Sequence, residues 1–363
     1  MNKYDYLVVG CGMFGSVFAQ QMTARNKKVM VIEKRHHIGG NCYTEPVEGI
    51  NVHKYGPHIF HTSNRKVWDY VNRFTSFNSF VNRPKVFYKG KLYSFPVNLM
   101  TFYQLWNVKT PSEAKRRLKQ DLINIDKPLN LEQWALANVG TEIYEIFIKG
   151  YTKKQWGRDP NELPSDIIKR IPIRFNFDDN YYDDTFQGIP VGGYTRFFER
   201  LLKGTEYMLN TDYLADKNHW NGLTKKVVYT GKIDEFFDYR LGQLEYRSLR
   251  FETKVIDNTF QGNAVINYTD ESVEYTRVIE HKFFEYNNQP KTIVSWEYPD
   301  NFSLDKVPYY PVNDHRNNNL YQQYHHLAEN QKNFIFGGRL ASYSYLDMDD
   351  TILNALKIAE KEG

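Results

Sequence analysis

The stretch "GCGMFG", Gly10 to Gly15, has the G-x-G-x-x-G spacing that suits a pyrophosphate. Gly10 permits a tight turn, Gly12 lets a pyrophosphate approach the backbone, and Gly15 lets a helix lie close on a strand. Alone the pattern is weak. Here it follows an apolar run, "YDYLVVG", and opens "MFGSVFAQQMTAR", whose Phe14, Val17, Phe18 and Met22 share one helical side. A second apolar run, "KVMVIEK", ends at Glu33, ~20 residues on, where a carboxylate suits the hydroxyls of an adenosine ribose. Strand, helix and acid together predict a β-α-β dinucleotide unit.

Two further segments point to FAD as the dinucleotide. "EKRHHIGGNCY" continues past Glu33 to a glycine pair, Gly39 and Gly40, a pattern frequent where the chain folds back under a flavin and unusual in simple NAD domains. At the far end, "FGGRLASYSYLDMDDTI" sets a Gly-Gly turn between a strand and a helix, with Arg339 in reach of a pyrophosphate. Distant segments on one cofactor imply a discontinuous domain. "YGPHIFHT" places His58 and His61 three residues apart, directly after the FAD signature. A metal needs three or four ligands, and nothing nearby supplies the others at suitable spacing. Packing and a cofactor-lining loop remain, and the bend at Gly56 and Pro57 favours the loop.

The 47 Lys+Arg nearly cancel the 43 Asp+Glu, so a net charge of +4 predicts neither a nucleic-acid nor a membrane partner. The 363 residues exceed what one core usually organises, so two or more domains are expected. The 28 tyrosines suit a polar ligand with flat rings and many acceptors, because a buried hydroxyl needs a partner. Cys11 and Cys42 form no CxxC pair, so neither a disulfide framework nor a zinc knuckle is expected. "MNKYDYLVVG" enters a strand without a signal-peptide pattern, and no apolar run approaches ~20 residues, so a cytoplasmic protein without a membrane span is expected.

Farther along, 64–74 reads as an amphipathic helix, and "KVFYKGKLYSFPV" as two strands about a "KGK" turn. A long helical tract covers 99–168, with a helix start at Pro111 and Ser112. "NAVINYTDESVEYTRVIEHKFF" reads as a hairpin about Asp270, and the tail as strand, Gly-Gly turn and helix.

These residues resemble the UDP-galactopyranose mutase family, in its bacterial form, over essentially the whole chain. The resemblance is carried by "GCGMFG", "IEKRHHIGGNCY", "YGPHIFHT", "GYTKKQWG", "FDDNYY", "GIPVGGYT", "YTRVIEHK", "PYYPVN" and "GGRLASYSYLDMD". It implies an α/β fold: a Rossmann-like FAD domain built from discontinuous segments, a helical insertion and an antiparallel β-sheet domain. The expected FAD segments are 1–80, 189–240 and 311–363; the sheet segments are 81–98, 171–188 and 241–310; the helical substrate domain is 99–170.

By the same resemblance the chain interconverts UDP-galactopyranose and UDP-galactofuranose without net redox change. Reduced FAD would provide N5 as nucleophile at the anomeric carbon, while UDP leaves and returns. NAD(P)H or another reductant would keep the flavin reduced, and the protein would be a homodimer serving cell-surface polysaccharide synthesis. Arg170 and Arg277 would meet the departing diphosphate, since arginine offers a fixed fork that stays protonated. Each could otherwise be a surface ion pair, with Arg174 as a nearby competitor. His58 would lie against the flavin, with His61 supporting its loop. Tyr181, Tyr310 and Tyr345 would donate to the diphosphate, Tyr310 being preferred over Tyr309. Tyr151, Thr152 and Trp156 would form the uridine side. At helical spacing Tyr151 and Trp156 could be core, but Lys153, Lys154 and Gly157 argue for an exposed, mobile segment. Asn82, Asn267 and Arg247 complete the substrate set, Arg247 serving either the diphosphate or that segment. The cofactor set is Gly10, Gly12, Phe14, Gly15, Glu33, Lys34, Gly40, Asn41, His58, Ile59, Gly338, Arg339, Leu346, Asp347 and Met348, with Asp347 orienting Tyr345 or a water.

Two rivals stand beside this reading. A flavin oxidoreductase of the amine-oxidase kind shares the FAD half but needs a hydride-acceptor pocket rather than arginines facing the flavin. A nucleotide-sugar binding module would need neither "HHIGGNCY" nor the second flavin segment.

Overall fold

A computed structural model describes residues 3–168, 172–285 and 288–363. The first strand, β1 (Tyr4–Val9), the helix α1 (Met13–Ala24) and the second strand, β2 (Val29–Ile32), form the expected unit. β2 is buried at every position, as a parallel strand covered on both faces must be. The full parallel sheet runs Phe334–Phe336, Thr224–Tyr229, β1, β2, Glu206–Met208. Its chain order shows that three distant stretches build one sheet. Because all five strands point the same way, their C-terminal ends share one edge, where ligands of such sheets bind. On one face α1 packs with the terminal helix Met348–Glu362 around Val17, Phe18, Ile352 and Ala355.

The second sheet has seven strands in the order Tyr310–Pro311, Tyr246–Asp257, Lys291–Asn301, Arg277–Glu280, Val265–Tyr268, Lys85–Tyr88, Lys91–Ser94. It is antiparallel except where Val265–Tyr268 runs parallel to Lys85–Tyr88. The "KGK" turn has Lys89 at φ 46° and Gly90 at φ 79°, the left-handed pair that a two-residue hairpin demands. The stretch 171–188, expected to belong to this sheet, gives it no strand among its described residues. Its strand, Phe186–Gly188, pairs instead with Phe60–Thr62 beneath the cofactor-side loop.

The helical tract breaks into Leu99–Trp106, Pro111–Asp121, Leu131–Asn138 and Gly150–Trp156. The Thr110 side chain accepts from Glu113 N and the Glu113 side chain from Thr110 N, which fixes the start that Pro111 announced. The expected 64–74 helix is shorter, Arg65–Val71, capped by Asn64. A π-helical turn, Tyr144–Lys149, leads into Gly150–Trp156. No helix among the described residues is long and apolar enough to cross a membrane.

Candidate active site

A groove opens at the C-terminal edge of the parallel sheet. The expected cofactor residues line it, except Ile59 and Asp347. Ile59 is buried with Phe80 and Ile189. Asp347 is the N-cap of the terminal helix, and its carbonyl accepts from Thr351 N and Oγ1. Thr230, Gly231 and Lys232 also line the groove and were not anticipated. Their signal was "VVYTGK", a strand ending in a Thr-Gly turn: the parallel register sets Thr230 beside the end of β1, where its Oγ1 donates to Val9 O at 2.8 Å.

The fit to a dinucleotide rests on local geometry. Gly10 sits at φ +102°, and a Cβ there would overlap Thr230 Oγ1. A Cβ on Gly15 would overlap Gly10 O, so that glycine lets α1 lie on β1. A Cβ on Gly12 would meet only Gly40 Cα, at 4.0 Å, so this position opens onto the groove. α1 carries neither a side-chain cap nor an acid in its first turn, which leaves its first N–H groups for an anion. Glu33 accepts from Cys11 N at 2.9 Å and Arg35 N at 3.0 Å. Two accepted bonds fix the carboxylate and leave acceptor capacity for a ribose. A Cβ on Gly337 would overlap the Phe14 ring, so the second Gly-Gly turn rests on the first motif's side chain. Arg339 donates to Leu346 O at 2.6 Å and lies over the Tyr345 ring at 4.9 Å.

His58 and His61 part company. His61 bonds Asp184 at 2.6 Å and stacks on Tyr182 with ring centroids 3.7 Å apart. His58 lines the groove, with Nδ1 2.9 Å from Gly56 O. A carbonyl only accepts, so Nδ1 carries the proton and Nε2 of the neutral ring is an acceptor. No cluster of three metal-ligating side chains occurs among the described residues.

Behind His58 lies a set of backbone-to-ring hydrogen bonds that the sequence did not disclose. His58 N donates to His53 Nδ1 at 3.2 Å, and His53 N donates to His281 Nδ1 at 3.2 Å. Burial pushes all three rings toward the neutral form: His58 to about 4, His281 to about 3, and His53 well below the usual range. Each folded pKa lies below the unfolded value of about 6.5, so the unfolded chain binds more protons in that window. Stability is therefore expected to fall as pH drops from 6.5 toward 4, by up to about 1.4 kcal/mol per pH unit for each histidine. Urea midpoints at pH 7, 6 and 5 measure this, and equal midpoints would refute it.

The substrate-side groups gather on one face of the seven-stranded sheet. Asn267, Arg277 and Glu297 stand directly opposite one another on three adjacent strands. Glu297 is 0% exposed and accepts from Arg277 Nε at 2.8 Å, with Arg277 Nη2 also at 2.8 Å. Burial opposes the Arg277 charge, but Glu297, Tyr151 and Tyr310 outweigh it and lift its pKa above the ordinary range. Arg277 is thus a fixed cation, and Glu297, from "SWEYP", is the partner sequence reasoning missed. The available signal was an acid inside an apolar strand.

Tyr151 and Tyr310 stand beside this cation, with Tyr345 next to both of them. Burial raises the Tyr151 hydroxyl to about 12 and Tyr310 higher still, so both remain donors. Tyr310 stacks on Tyr345 with centroids 5.9 Å apart. Tyr309 packs against Tyr55 and Phe251, which sets Tyr310 and not Tyr309 in the cluster. Tyr181 N donates to Asn82 O at 2.8 Å, bringing those two residues together. Arg277 and Arg339 both act on His58, so the cluster adjoins the groove. Arg170 lies outside the described residues.

One expectation is corrected. The "GYTKKQWG" segment is neither loop nor exposed lysine run; it is a helix whose Thr152 and Gln155 are buried. Lys154 turns inward. Of the two tasks expected for Arg247, its contacts are those with the segment: Nε donates to Gln155 O at 2.9 Å, Nη2 to Lys154 O at 3.4 Å and Nη1 to Asn301. Trp156 packs on the helical core, with its ring 6.4 Å from Tyr310. Arg174 is committed to Asp183 and to Asn180 O, which braces the turn carrying Tyr181.

A family model for UDP-galactopyranose mutase matches residues 146–345, and one for a NAD(P)-binding Rossmann-like domain matches 8–74. The chain is 40% identical to a probable UDP-galactopyranose mutase of Klebsiella pneumoniae, covering 99% of this chain and 95% of that one. It is 41% identical to a dTDP-fucopyranose mutase of Escherichia coli, covering 99% and 98%. A solved structure of reduced UDP-galactopyranose mutase superposes with a TM-score of 0.76 over 100% of this chain and 94% of its own, at 14% identity, which speaks for the fold. A family match over more than half of the chain and full-length relatives at this identity place it in the UDP-galactopyranose mutase family.

Proposed function

We propose that this flavin-dependent pyranose/furanose isomerase interconverts UDP-galactopyranose and UDP-galactofuranose, with FAD in the groove and no net redox change. The observation that carries the reading is a cation held on a buried carboxylate, ringed by tyrosine hydroxyls, beside the His58 end of a dinucleotide groove. Reduced FAD, when bound, supplies a nucleophilic nitrogen for the anomeric carbon. The chain does the rest. Arg277 meets the charge that gathers on the departing diphosphate, and it needs no reorganisation because Glu297 already fixes its fork. Tyr181, Tyr310 and Tyr345 donate to the same oxygens, and Arg170 joins them on the strength of the resemblance. His58 keeps its proton on Nδ1 and offers Nε2 as an acceptor at the flavin end. Tyr151 and Trp156 flank the uridine, and Asn82 and Asn267 bound the sugar. A homodimer in the cytoplasm, kept reduced by NAD(P)H and feeding polysaccharide synthesis, completes the proposal.

Turnover of UDP-galactofuranose under anaerobic conditions tests it. One reduction with dithionite is expected to support many turnovers, because no electrons leave with the product. Equal turnover by fully oxidised enzyme, or NADPH consumed mole for mole, would promote the oxidoreductase reading. The Escherichia coli relative favours one second reading, the same reaction on a dTDP-linked 6-deoxy sugar. Running dTDP-fucopyranose beside UDP-galactopyranose under the same conditions decides between them by kcat/KM.

A further inference from the structure

Lys154 occupies a cage of backbone carbonyls. Its Nζ donates to Tyr268 O, Asp270 O and Val273 O at 2.8 Å each and to Tyr275 O at 3.0 Å. An ammonium has three N–H groups, so four acceptors saturate it and leave nothing for an outside partner. One carbonyl ends the strand Val265–Tyr268 and the other three lie in the turn that joins it to Arg277–Glu280. The first lies one residue past Asn267, the last two residues before Arg277. On the other side, Lys154 sits on the helix that carries Tyr151 and Trp156.

Two further contacts press the same surfaces together. A Cβ on Gly150 would overlap Thr269 O, so the start of the helix lies directly on the turn. Arg247 gathers the carbonyls of Lys154 and Gln155 at its other end. Lys153, the neighbouring lysine, stays outside with Asp159 at 3.0 Å and Glu271 at 3.5 Å. The two adjacent lysines therefore have different tasks, and only Lys154 crosses into the backbone of the hairpin.

We propose that Lys154 is a positioning residue that locks the nucleotide-side helix to the hairpin bearing Asn267 and Arg277. The nucleoside end and the diphosphate end of the substrate site then move as one body. A compact ammonium is needed for this. The planar guanidinium of arginine cannot converge on four carbonyls around one point, and methionine would leave them without a donor. The inference rests on the proposed function for what the two ends bind.

UDP is the probe, titrated calorimetrically into the FAD-loaded enzyme. Lys154→Met and Lys154→Arg are each expected to raise the Kd for UDP by about tenfold or more, with the flavin spectrum unchanged. A role in stability alone would lower Tm and leave Kd unchanged well below it, and that result overturns the proposal. In Lys154→Ala, propylammonium is expected to restore affinity saturably, whereas rescue by tetramethylammonium to the same extent would reduce the effect to ionic strength and overturn it. Should these variants not fold, hydrogen exchange on the parent decides: UDP is expected to slow exchange in 150–157 and 268–277 together, and protection of one segment alone refutes the lock. Failure of the parent to bind UDP would instead remove the proposed function and leave the cage as a purely structural contact.

Discussion

Arg277→Ala is expected to lower kcat/KM for UDP-galactofuranose by about 10²-fold or more, the usual scale for deleting one donor to developing charge. The sheet register leaves little alternative. Three adjacent strands place Asn267, Arg277 and Glu297 in line, and Glu297 holds the guanidinium through Nε and Nη2. The same geometry predicts a second cost. Removing Arg277 strands a fully buried carboxylate, and breaking such a pair costs roughly 3–5 kcal/mol. Activity must therefore be measured where the variant remains folded, with FAD content as the control. Arg277→Lys separates the two effects: it keeps a charge against Glu297, retains most of the stability and still loses the fork. Arg174→Ala is the contrasting variant. Its guanidinium serves Asp183 and Asn180 O, so its expected loss is far smaller and falls on KM through the Tyr181 turn. A larger loss in Arg174→Ala than in Arg170→Ala would show that the choice of arginine in "KRIPIR" is wrong.

Legibility followed sequence distance. "GCGMFG", Glu33 and the Gly39–Gly40 pair lie within one β-α-β unit, where local pattern and short loops fix the geometry, and all of them line the groove. The histidine spacing was legible only in part. His58 precedes the strand Phe60–Thr62 and lines the groove, whereas His61 lies within that strand and turns toward Asp184, a difference that the spacing alone does not set. Glu297 was invisible because its partner is 20 residues away across a strand pair, and nothing local sets that register. Lys154 was misread for a related reason. Beside Lys153 and Gly157 it looks like part of a solvated run, yet the carbonyls that receive it lie 114 to 121 residues later. Burial lowers its ammonium to about 8, partly offset by Asp270 and Glu271, while the four carbonyls, which only accept, favour the protonated form. The Tyr309–Tyr310 choice likewise needed the fold, since Tyr310 begins the strand Tyr310–Pro311 and Tyr309 packs just before it on Tyr55 and Phe251.

Gly12→Val is expected to yield a folded, colourless protein that has lost FAD by at least about tenfold in affinity, or ~1.4 kcal/mol. The backbone at this position, φ −80° and ψ −171°, accepts a β-branched residue without strain. In the protein alone the new Cβ touches only Gly40 Cα, at 4.0 Å, which is ordinary contact. The cost arises with the cofactor, because valine occupies the approach to the free N–H groups of α1 that an anion needs. Gly15→Val provides the contrast: its Cβ would overlap Gly10 O and lie 3.0 Å from Val8 Cγ1, so helix and strand would be forced apart. That variant is expected to lose the fold, seen as a lost near-ultraviolet circular dichroism signal, whereas Gly12→Val retains it. The pair thus separates a glycine needed for the protein from one needed for the ligand. Full FAD content in Gly12→Val would remove the pyrophosphate from this groove, and with it the cofactor on which the proposed isomerisation depends.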